Sequence, residues 1–333
     1  MSSRNVKDIP LLVVSCDRYA DLWPVFFDVL RARWPDCPFP LYLGSNQARF
    51  ERPGVTTLCA GVDRSWAGNL SRMLDLLSSE YVLFFLEDFF LRSAVNTESV
   101  VSAVNYFRSR NVDCGRLAPL PAPTPLPPVP FPDCPTMGPV PPEFPYRVSA
   151  QIALWRVPAL REYLVPGFSA WDFEHIGTRM SRHKSQVFAG PFAALIDYDH
   201  GVEKGRWKLE GIEICRAAGV TPDTRARGVF SVGQLDAHYQ AGQGAGELGH
   251  IKARAITAFL HGRRREGWGH CKRHLRSAGP SLRLLSIAAF GMLGPWALEW
   301  LDRQHVHWRT LSARLRDATW SLRQRRRATS GHK

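Results

Sequence analysis

Two adjacent carboxylates, Glu87 and Asp88, directly follow an apolar run at residues 81–86. Six consecutive apolar residues have the length and composition of a strand that is buried on both faces, as in a parallel sheet. Buried charge is unfavourable without a partner, so these acids are expected to meet a metal, another cation or water where the strand ends. In open α/β sheets, ligands bind at the carboxyl ends of strands. Glu87 and Asp88 are therefore the first candidate site.

The oxygen ligands of these two acids favour a hard cation. Neither His nor Cys stands close to them in the sequence, so Mn²⁺ or Mg²⁺ is the predicted ion, with substrate phosphates completing its coordination shell. Such sites rarely use an all-protein cage, and one or two acids are the expected number. The spacing is equally compatible with a structural role, in which the two acids cap the next turn or pair with Arg92.

Strands and helices alternate on both sides of the two acids. Apolar runs predict strands at residues 11–15, 40–44, 55–59, 81–86, 147–155 and 192–198. Helical spacing of apolar residues, together with capping residues, predicts helices capped by Asp21, by Asp63 or Ser65, and by Ser169, and one more at 99–107. Such alternation is the signature of a parallel or mostly parallel sheet, so the predicted fold class is α/β.

Two unusual segments set the predicted domain boundaries. Residues 119–145 contain 13 prolines, which exclude a helix or a central strand. A rigid, partly polyproline loop is the structural interpretation, and a lid over the site is the functional alternative. Residues 241–249 contain four glycines and are predicted to end the body. The predicted organisation is a domain of residues 1–249, with the Pro-rich loop inserted, followed by a C-terminal region of residues 250–333.

The C-terminal region differs from the body in its charge. Residues 250–333 hold 18 Lys and Arg against four acidic residues, a net charge of +14, whereas the whole chain carries +13. A basic region that also contains five tryptophans indicates a polyanionic surface as partner. Its apolar run is interrupted by Gly, Pro and Glu and is short for a bilayer span of about 20 residues. An interfacial amphipathic helix is predicted instead.

Cysteine usage and the N-terminus indicate a cytoplasmic protein. The seven cysteines are odd in number and form no Cys-x-x-Cys pair, so neither a disulfide framework nor a zinc site is predicted. The apolar run that follows the polar first ten residues is too short for a signal peptide. Together with the basic C-terminal region, these features predict peripheral binding to anionic lipid on the inner face of the cell membrane.

The order of these features resembles bacterial glycosyltransferases of the GT-A fold. The resemblance is carried by the loop Ser-Cys-Asp-Arg-Tyr after the first strand, by a helix with Trp66 and Asn69, and by the strand that ends in Glu87 and Asp88. It covers residues 9–240 and is similar, more narrowly, to members found in polysaccharide gene clusters. In that family a short acidic motif, often Asp-x-Asp, ends the fourth strand and holds the metal and diphosphate of a nucleotide sugar. Glu87 and Asp88 match this motif without a second Asp at the usual spacing.

The resemblance also assigns residues to the nucleotide-sugar donor. The first loop would hold the base and ribose through Ser15, Asp17 and Tyr19, although Asp17 is equally suited to a turn. Trp66, Asn69 and Glu87 would face the same crevice, and core packing is the alternative for Trp66. Further donor contacts are expected from Lys204 and Arg206, whose charges could neutralise the leaving diphosphate. His200, in the same turn, is a weaker candidate as a metal ligand.

A second acidic cluster, Asp172 and Glu174, opens a predicted helix and supplies the candidate catalytic residues. In inverting members of the family a carboxylate at a helix N-terminus deprotonates the acceptor hydroxyl, which requires one base within hydrogen-bond reach. Ser169 and Asp172 also have the spacing of a capping box, and acids in the first turn favour the helix dipole. Glu174 is therefore the better candidate base. Arg179 could orient it or lie on a solvated face.

The predicted function is transfer of a sugar from a nucleotide-diphosphate donor to a hydroxyl of a free or lipid-linked saccharide, by a hexosyltransferase-type enzyme with inversion, in the synthesis of a surface polysaccharide. A nucleotidyltransferase is the second possibility, although the Gly-rich, Lys-bearing loop expected after the first strand is not present. A non-catalytic α/β protein tethered to membrane or nucleic acid by its basic tail is the third. Arg-rich tails do bind phosphate backbones, but the interleaved Leu and Trp residues favour a membrane interface.

Overall fold

The computed structural model describes residues 6–119, 129–142, 144–230, 251–252, 254–256, 258–259 and 262–330, with side chains omitted at 283 and 323–330. Part of the predicted Pro-rich loop and the Gly-rich segment 241–249 lie outside these residues. The chain divides into two compact units. The first unit comprises residues 1–229 together with 312–333, and the second unit comprises residues 230–311.

An eight-stranded mixed sheet forms the centre of the first unit, and its strand order is β3-β2-β1-β4-β8-β6-β9-β7. Its strands are β1 (Leu11–Val14), β2 (Leu41–Ser45), β3 (Val55–Cys59), β4 (Tyr81–Leu86), β6 (Cys114–Arg116), β7 (Met137–Pro139), β8 (Ala153–Arg156) and β9 (Phe188–Pro191). Strands β1 to β4 run parallel, as does the β6–β9 pair. β8 lies antiparallel to both β4 and β6. The prediction of an α/β fold with a mixed, mostly parallel sheet is confirmed.

Two short antiparallel ribbons accompany the sheet. The first joins β5 (Phe89–Leu91) to β10 (Tyr198–His200), and the second joins β11 (Val202–Glu203) to β12 (Arg206–Trp207). Helices connect the strands: a 3₁₀ segment (Asp17–Leu22), α1 (Trp23–Arg33), α2 (Trp66–Asp75), α3 (Thr97–Ser109), α4 (Val157–Arg161), α5 (Ala170–Ser181) and α6 (Leu209–Ala217). The central strands β1 and β4 are buried, apart from the half-buried Leu86 at the end of β4, as expected for strands covered on both faces.

The caps of these helices decide between the predicted alternatives. Ser65, and not Asp63, caps α2, because its hydroxyl accepts the Gly68 N–H at 3.2 Å. The prediction that Asp21 caps α1 is wrong: the helix follows Leu22 without a side-chain cap, and the Asp21 carboxylate pairs with Arg227 instead. A local pattern suggested the cap, whereas a residue far along the chain offers the carboxylate a charged partner.

Two predicted strands are displaced along the sequence. The predicted strand at 147–155 starts only at Ala153. Before it, the backbone of Val148 bonds to the Thr178 hydroxyl and the Ala150 N–H bonds to Glu174, so these groups pair with side chains of α5 and not with a strand. The predicted strand at 192–198 is replaced by β9, which ends at Pro191, and by β10, which begins at Tyr198. Apolar composition identified both regions, but tertiary contacts set the positions of the strands.

The second unit is helical. It contains α7 (Arg264–Ala278), α8 (Leu282–Leu293) and the first half of α9 (Pro295–Ser330). A small core surrounds Phe259, against whose ring Gly267 and Gly291 both pack so closely that a Cβ on either would lie within 2.7 Å of a ring carbon. Among the helices that the structure describes, none combines the length and apolar character needed to cross a lipid bilayer.

The end of α9 belongs to the first unit, whereas residues 250–333 were predicted to form one C-terminal region. Ala313 is buried, and a Cβ on Gly167 would lie 2.2 Å from its carbonyl oxygen. The Arg64 guanidinium lies 5.6 Å from the centre of the Trp320 ring. These contacts with the body explain why residues 312–330 separate from the rest of the basic region.

Candidate functional site

A cavity of about 310 Å³ opens at the carboxyl ends of β1 and β4. It is lined by Val14, Ser15, Cys16, Tyr19, Asp63, Trp66, Asn69, Leu86, Glu87, Asp88 and Val202. Six of the predicted site residues are therefore brought together: Ser15, Tyr19, Trp66, Asn69, Glu87 and Asp88. The position is the one expected for a ligand site in an open α/β sheet. The cavity is mixed in character, with three carboxyl groups and two aromatic rings in its wall.

Glu87 is the most perturbed acid of this cavity. Only 8% of the residue is exposed, and burial, reinforced by the neighbouring charge of Asp88, raises the pKa of Glu87 to about 8. A hydrogen bond with Ser15 and the charge of Arg227 act in the opposite direction. Ser15 is itself fixed by the Trp23 indole N–H, which donates to its hydroxyl at 2.8 Å. Without a bound cation, Glu87 is therefore neutral at neutral pH.

Asp88 faces His200 across the β5–β10 ribbon. His200 is paired with Phe89 in that ribbon, and the Gly201 N–H donates to the Asp88 carbonyl at 2.7 Å. The His200 Nδ1 lies 3.7 Å from Asp88 Oδ2. Lost hydration lowers the pKa of His200, but the Asp88 carboxylate, helped by Asp199, outweighs it and raises that pKa above its ordinary value. The ribbon thus places His200, which can carry a positive charge, next to Asp88 in the cavity wall.

The side chains around the cavity fit a hard divalent cation that is held jointly with a phosphate. Within the described ranges, no three His, Cys, Asp or Glu side chains lie close enough together to hold a metal ion by themselves. The carboxylates of Asp88, Glu87 and Asp63 nevertheless line one cavity, and carboxylate oxygens are the ligands that Mg²⁺ and Mn²⁺ prefer. Asp88 and deprotonated Glu87 would hold such an ion, with ligand oxygens supplying the remaining positions.

The side chains of Asp17 and Asn69 form hydrogen bonds with other groups of the protein. The Asp17 carboxylate accepts the backbone N–H groups of Asn46, Gln47 and Ala48 at 2.9–3.2 Å, and it is not part of the cavity wall. The Asn69 amide donates to Asp63 at 2.7 Å and accepts from Arg72 at 2.7 Å. Asp17 therefore positions a neighbouring loop, and Asn69 positions Asp63. Their predicted contact with a donor stays a prediction.

Two residues of the site were missed by sequence reasoning. Asp63, considered only as a cap, lines the cavity. Arg227 lies with its guanidinium 4.2 Å from the centre of the Tyr19 ring, donates to both oxygens of Asp21, and lowers the pKa of Glu87 by its charge. More than 200 residues separate Arg227 from Tyr19, so no local pattern could have indicated the contact.

Lys204 and Arg206 lie on the β11–β12 hairpin, which adds Val202 to the cavity wall. Lys204 is exposed at the tip of the hairpin, where its backbone is in the left-handed region with φ 46°. Arg206 donates to the Val229 carbonyl at 2.8 Å. Neither side chain lines the cavity, so a role in binding the donor would require the hairpin to approach a bound ligand.

The two acids of α5 have different surroundings. Asp172 forms the predicted capping box with Ser169, since each residue's side chain bonds the backbone N–H of the other. Glu174 is held differently: its Oε1 accepts the Ala150 N–H at 2.9 Å. Burial raises the pKa of Glu174, while this bond and the charges of Arg116 and His200 oppose the rise. Asp172 is thus committed to the helix terminus, and Glu174 is a half-buried carboxylate with one oxygen bonded to the backbone.

The helices that carry these residues are bonded to each other at their N-termini. The Gly167 N–H donates to the Ser65 hydroxyl at 3.1 Å, and the Ala67 N–H donates to the Phe168 carbonyl at 3.1 Å. The start of α2, which bears Trp66, is therefore fixed to the start of α5, which bears Glu174. The end of α9 touches both segments, through Gly167 and Arg64. Glu174 and the cavity consequently belong to one rigid neighbourhood.

Comparisons with known proteins reveal only distant similarity. No protein-family model matches the chain, and no curated protein matches it. A crystal structure of residues 1–349 of TarS from S. aureus is 13% identical with a TM-score of 0.40, covering 89% of this chain and 91% of that one. A second TarS structure is 13% identical with a TM-score of 0.36, covering 87% and 54%. Likeness of this size carries no argument about function.

Replacing Glu87 by Gln is expected to change how stability depends on pH. The folded protein keeps the Glu87 proton up to a pKa of about 8, whereas the unfolded chain releases it near the ordinary value of 4.5. Wild type should therefore lose about 1.4 kcal/mol of stability for each pH unit within that window, and Glu87→Gln should not. Thermal unfolding from pH 4 to 9, in buffer free of divalent ions, measures the divergence.

The exposed Glu51 provides the matched control for this experiment. Glu51→Gln removes the same charge from the surface, and its unfolding temperatures should follow those of wild type across the series. If the unfolding temperatures of Glu87→Gln and wild type stayed parallel from pH 4 to 9, Glu87 would be ionised in the folded protein. Its carboxyl group would then be in contact with water.

Proposed function

We propose that the protein is a glycosyltransferase that moves a sugar from a nucleotide-diphosphate donor to a hydroxyl of a saccharide, with inversion at the anomeric carbon. The observation that carries this proposal is the cavity at the ends of β1 and β4, where Glu87 and Asp88 meet two aromatic side chains. A diphosphate needs cations, a nucleoside offers flat surfaces for stacking, and the cavity offers a place for each.

The donor would lie with its diphosphate next to the acidic pair. Asp88 and deprotonated Glu87 would hold a Mn²⁺ or Mg²⁺ ion, which when bound neutralises diphosphate charge. The Tyr19 and Trp66 rings line the same cavity and suit the nucleoside and the sugar. His200, raised in pKa by Asp88, supplies positive charge near the leaving group, and Lys204 and Arg206 of the adjoining hairpin would add to it.

Glu174 is the proposed general base. Inversion by direct displacement requires one carboxylate that removes the proton of the attacking acceptor hydroxyl while the diphosphate departs. Burial raises the pKa of Glu174, which strengthens it as a base at a pH where it is still ionised. The Ala150 N–H fixes one carboxylate oxygen and leaves the second to receive the proton. Asp172, committed to its capping box, is not needed for this step.

Donor binding is expected to stabilise the protein against heat. A ligand at about 100 times its dissociation constant adds about 2.7 kcal/mol to the free energy of unfolding. We expect at least one UDP-, GDP- or dTDP-sugar to raise the melting temperature in the presence of Mn²⁺, and CMP-sugars to act more weakly because they lack a diphosphate. Asp88→Asn should abolish the rise, whereas Asp36→Asn, on the surface, should retain it. Stabilisation by none of these sugars would exclude the donor site.

Changing Glu174 to Gln should remove catalysis and retain donor binding. Loss of a general base typically lowers the rate by about 10²–10⁴-fold. Because the base works when deprotonated and burial raises its pKa, the wild-type rate should fall as the pH drops through a value above 4.5. Asp172→Asn, which weakens the cap, should lose about 1 kcal/mol of stability and keep its kcat. Initial rates from pH 4 to 9 measure both variants. A large loss of kcat in Asp172→Asn, with kcat retained in Glu174→Gln, would contradict the assignment.

The second unit is proposed to bind anionic lipid. Leu282, Leu285 and Leu293 are 86%, 52% and 60% exposed and lie on one face of α8. Trp296 and Trp300 are exposed on adjacent turns of α9, and the Trp300 ring stacks on Phe290 of α8 at 5.9 Å. The exposed basic residues of α7 include Lys272, Arg273 and Arg276. Apolar side chains beside basic ones are typical of helices that lie in the membrane interface.

Vesicle flotation tests this lipid surface. The full-length protein is expected to float with vesicles containing phosphatidylserine and to remain behind with pure phosphatidylcholine, since each basic residue adds about 1 kcal/mol only at an anionic surface. The double variant Trp296→Ala, Trp300→Ala should bind about tenfold more weakly, and Trp171→Ala, an exposed Trp of the first unit, should bind like wild type. Binding to duplex DNA without flotation would contradict the lipid proposal.

A further inference from the structure

Three aromatic side chains stand in a row on the outer side of α5. Trp171 is 67% exposed, the largest exposure of any Trp, Tyr or Phe among the described side chains of the first unit. Its ring lies parallel to that of His175, with 6.0 Å between centroids and 16° between planes. The His175 ring in turn contacts Tyr146 at 5.4 Å. Trp171 and His175 are four residues apart and so lie on the same helix face.

The third ring is held in an unusual backbone conformation. Tyr146 has φ 56°, in the left-handed region that side chains other than Gly rarely adopt. The guanidinium of Arg116 donates to the Tyr146 carbonyl, and also to Ser149 at 2.7 Å and Gln151 at 2.6 Å. Arg116 is only 2% exposed. A buried cation thus fixes the segment 146–151 from inside and keeps the Tyr146 ring where it is.

This aromatic row adjoins the proposed base. The Ala150 N–H in the same segment holds the Glu174 carboxylate at 2.9 Å, and the charge of Glu174, after burial, contributes to raising the pKa of Tyr146. Glu174 precedes His175 directly in α5. The row therefore begins next to the group that would take the acceptor's proton and continues outward along the helix.

We propose that Trp171, His175 and Tyr146 form the binding platform for the acceptor saccharide. The proposal rests on the proposed glycosyl transfer. A pyranose presents a C–H face that packs on flat aromatic rings and hydroxyls that need acceptors, and Glu174 provides an acceptor next to His175. Anionic lipid would be repelled by the carboxylates of Asp172 and Glu174, and an aliphatic protein surface would offer Glu174 no donor.

The row also explains why Trp171 is exposed. An indole on the surface contributes little to folding, but one held flat by a stacked neighbour loses little conformational entropy when a ligand packs on it. Trp171 stacks on His175, and His175 contacts Tyr146, so the three rings support one another. A sugar ring that packs on them would lie close to Glu174.

An array of immobilised bacterial surface glycans tests the platform with the full-length protein. Wild type is expected to bind at least one class of glycan, and Trp171→Ala to bind it at least about tenfold more weakly. Trp171→Phe and Tyr146→Phe, which keep a flat ring, should stay within about threefold of wild type. Phe192→Ala, which removes an exposed aromatic ring of the same unit, is the matched control and should not change binding.

Nucleotide-sugar thermal shifts on the same variants separate this proposal from the function on which it depends. Trp171→Ala should be stabilised by donor as strongly as wild type, and its KM for acceptor should rise while its KM for donor stays unchanged. Absence of glycan binding by wild type, or equal binding by Trp171→Ala, would overturn the platform even if donors stabilise the protein. Glycan binding that depends on Trp171 without any donor effect would support the platform and refute the transferase.

Discussion

The burial of a carboxyl group at the end of β4 is the constraint on which the rest of the site depends. Glu87 is almost inaccessible to water, so its charged form is unfavourable unless a cation or several donors compensate it. Ser15, at the end of the adjacent strand β1, supplies one hydrogen bond, and Arg227 supplies a distant positive charge. These contributions are insufficient, because the pKa remains near 8. The cavity is therefore short of positive charge and is suited to take up a cation.

Two long-range connections build the site around this group. The β5–β10 ribbon brings His200 to Asp88 across more than 100 residues. The hydrogen bonds between the starts of α2 and α5 hold Trp66 and Glu174 in a fixed relation. The end of α9 packs on both of these segments through Ala313 and Trp320. The last turns of a region that reads as a basic tail are thus part of the body that supports the site.

What could be predicted from sequence was local. The buried strand β4, the two acids after it and the capping box at Ser169 depend on neighbours within a few residues, and each is found where its pattern indicated. Arg227 and Arg116 were missed because their partners are distant in sequence. The sequence could not decide whether Asp17 contacts the donor or serves in a turn. The structure shows that its carboxylate is bonded to the loop at 46–48. The strand predicted at 192–198 failed because apolar composition does not fix which residues pair.

Burial has different consequences for the two carboxyl groups of the proposed reaction, Glu87 at the donor and Glu174 at the acceptor. Burial raises the pKa of both Glu87 and Glu174. Glu87 lies beside another carboxylate, so its proton is held until a cation arrives, and donor binding would then release it. The charges of Arg116 and His200 oppose the rise in the pKa of Glu174, so its ionised form is more favourable than burial alone would allow. One acid is thus suited to a cation and the other to a hydroxyl, and the difference arises from the charges that surround them.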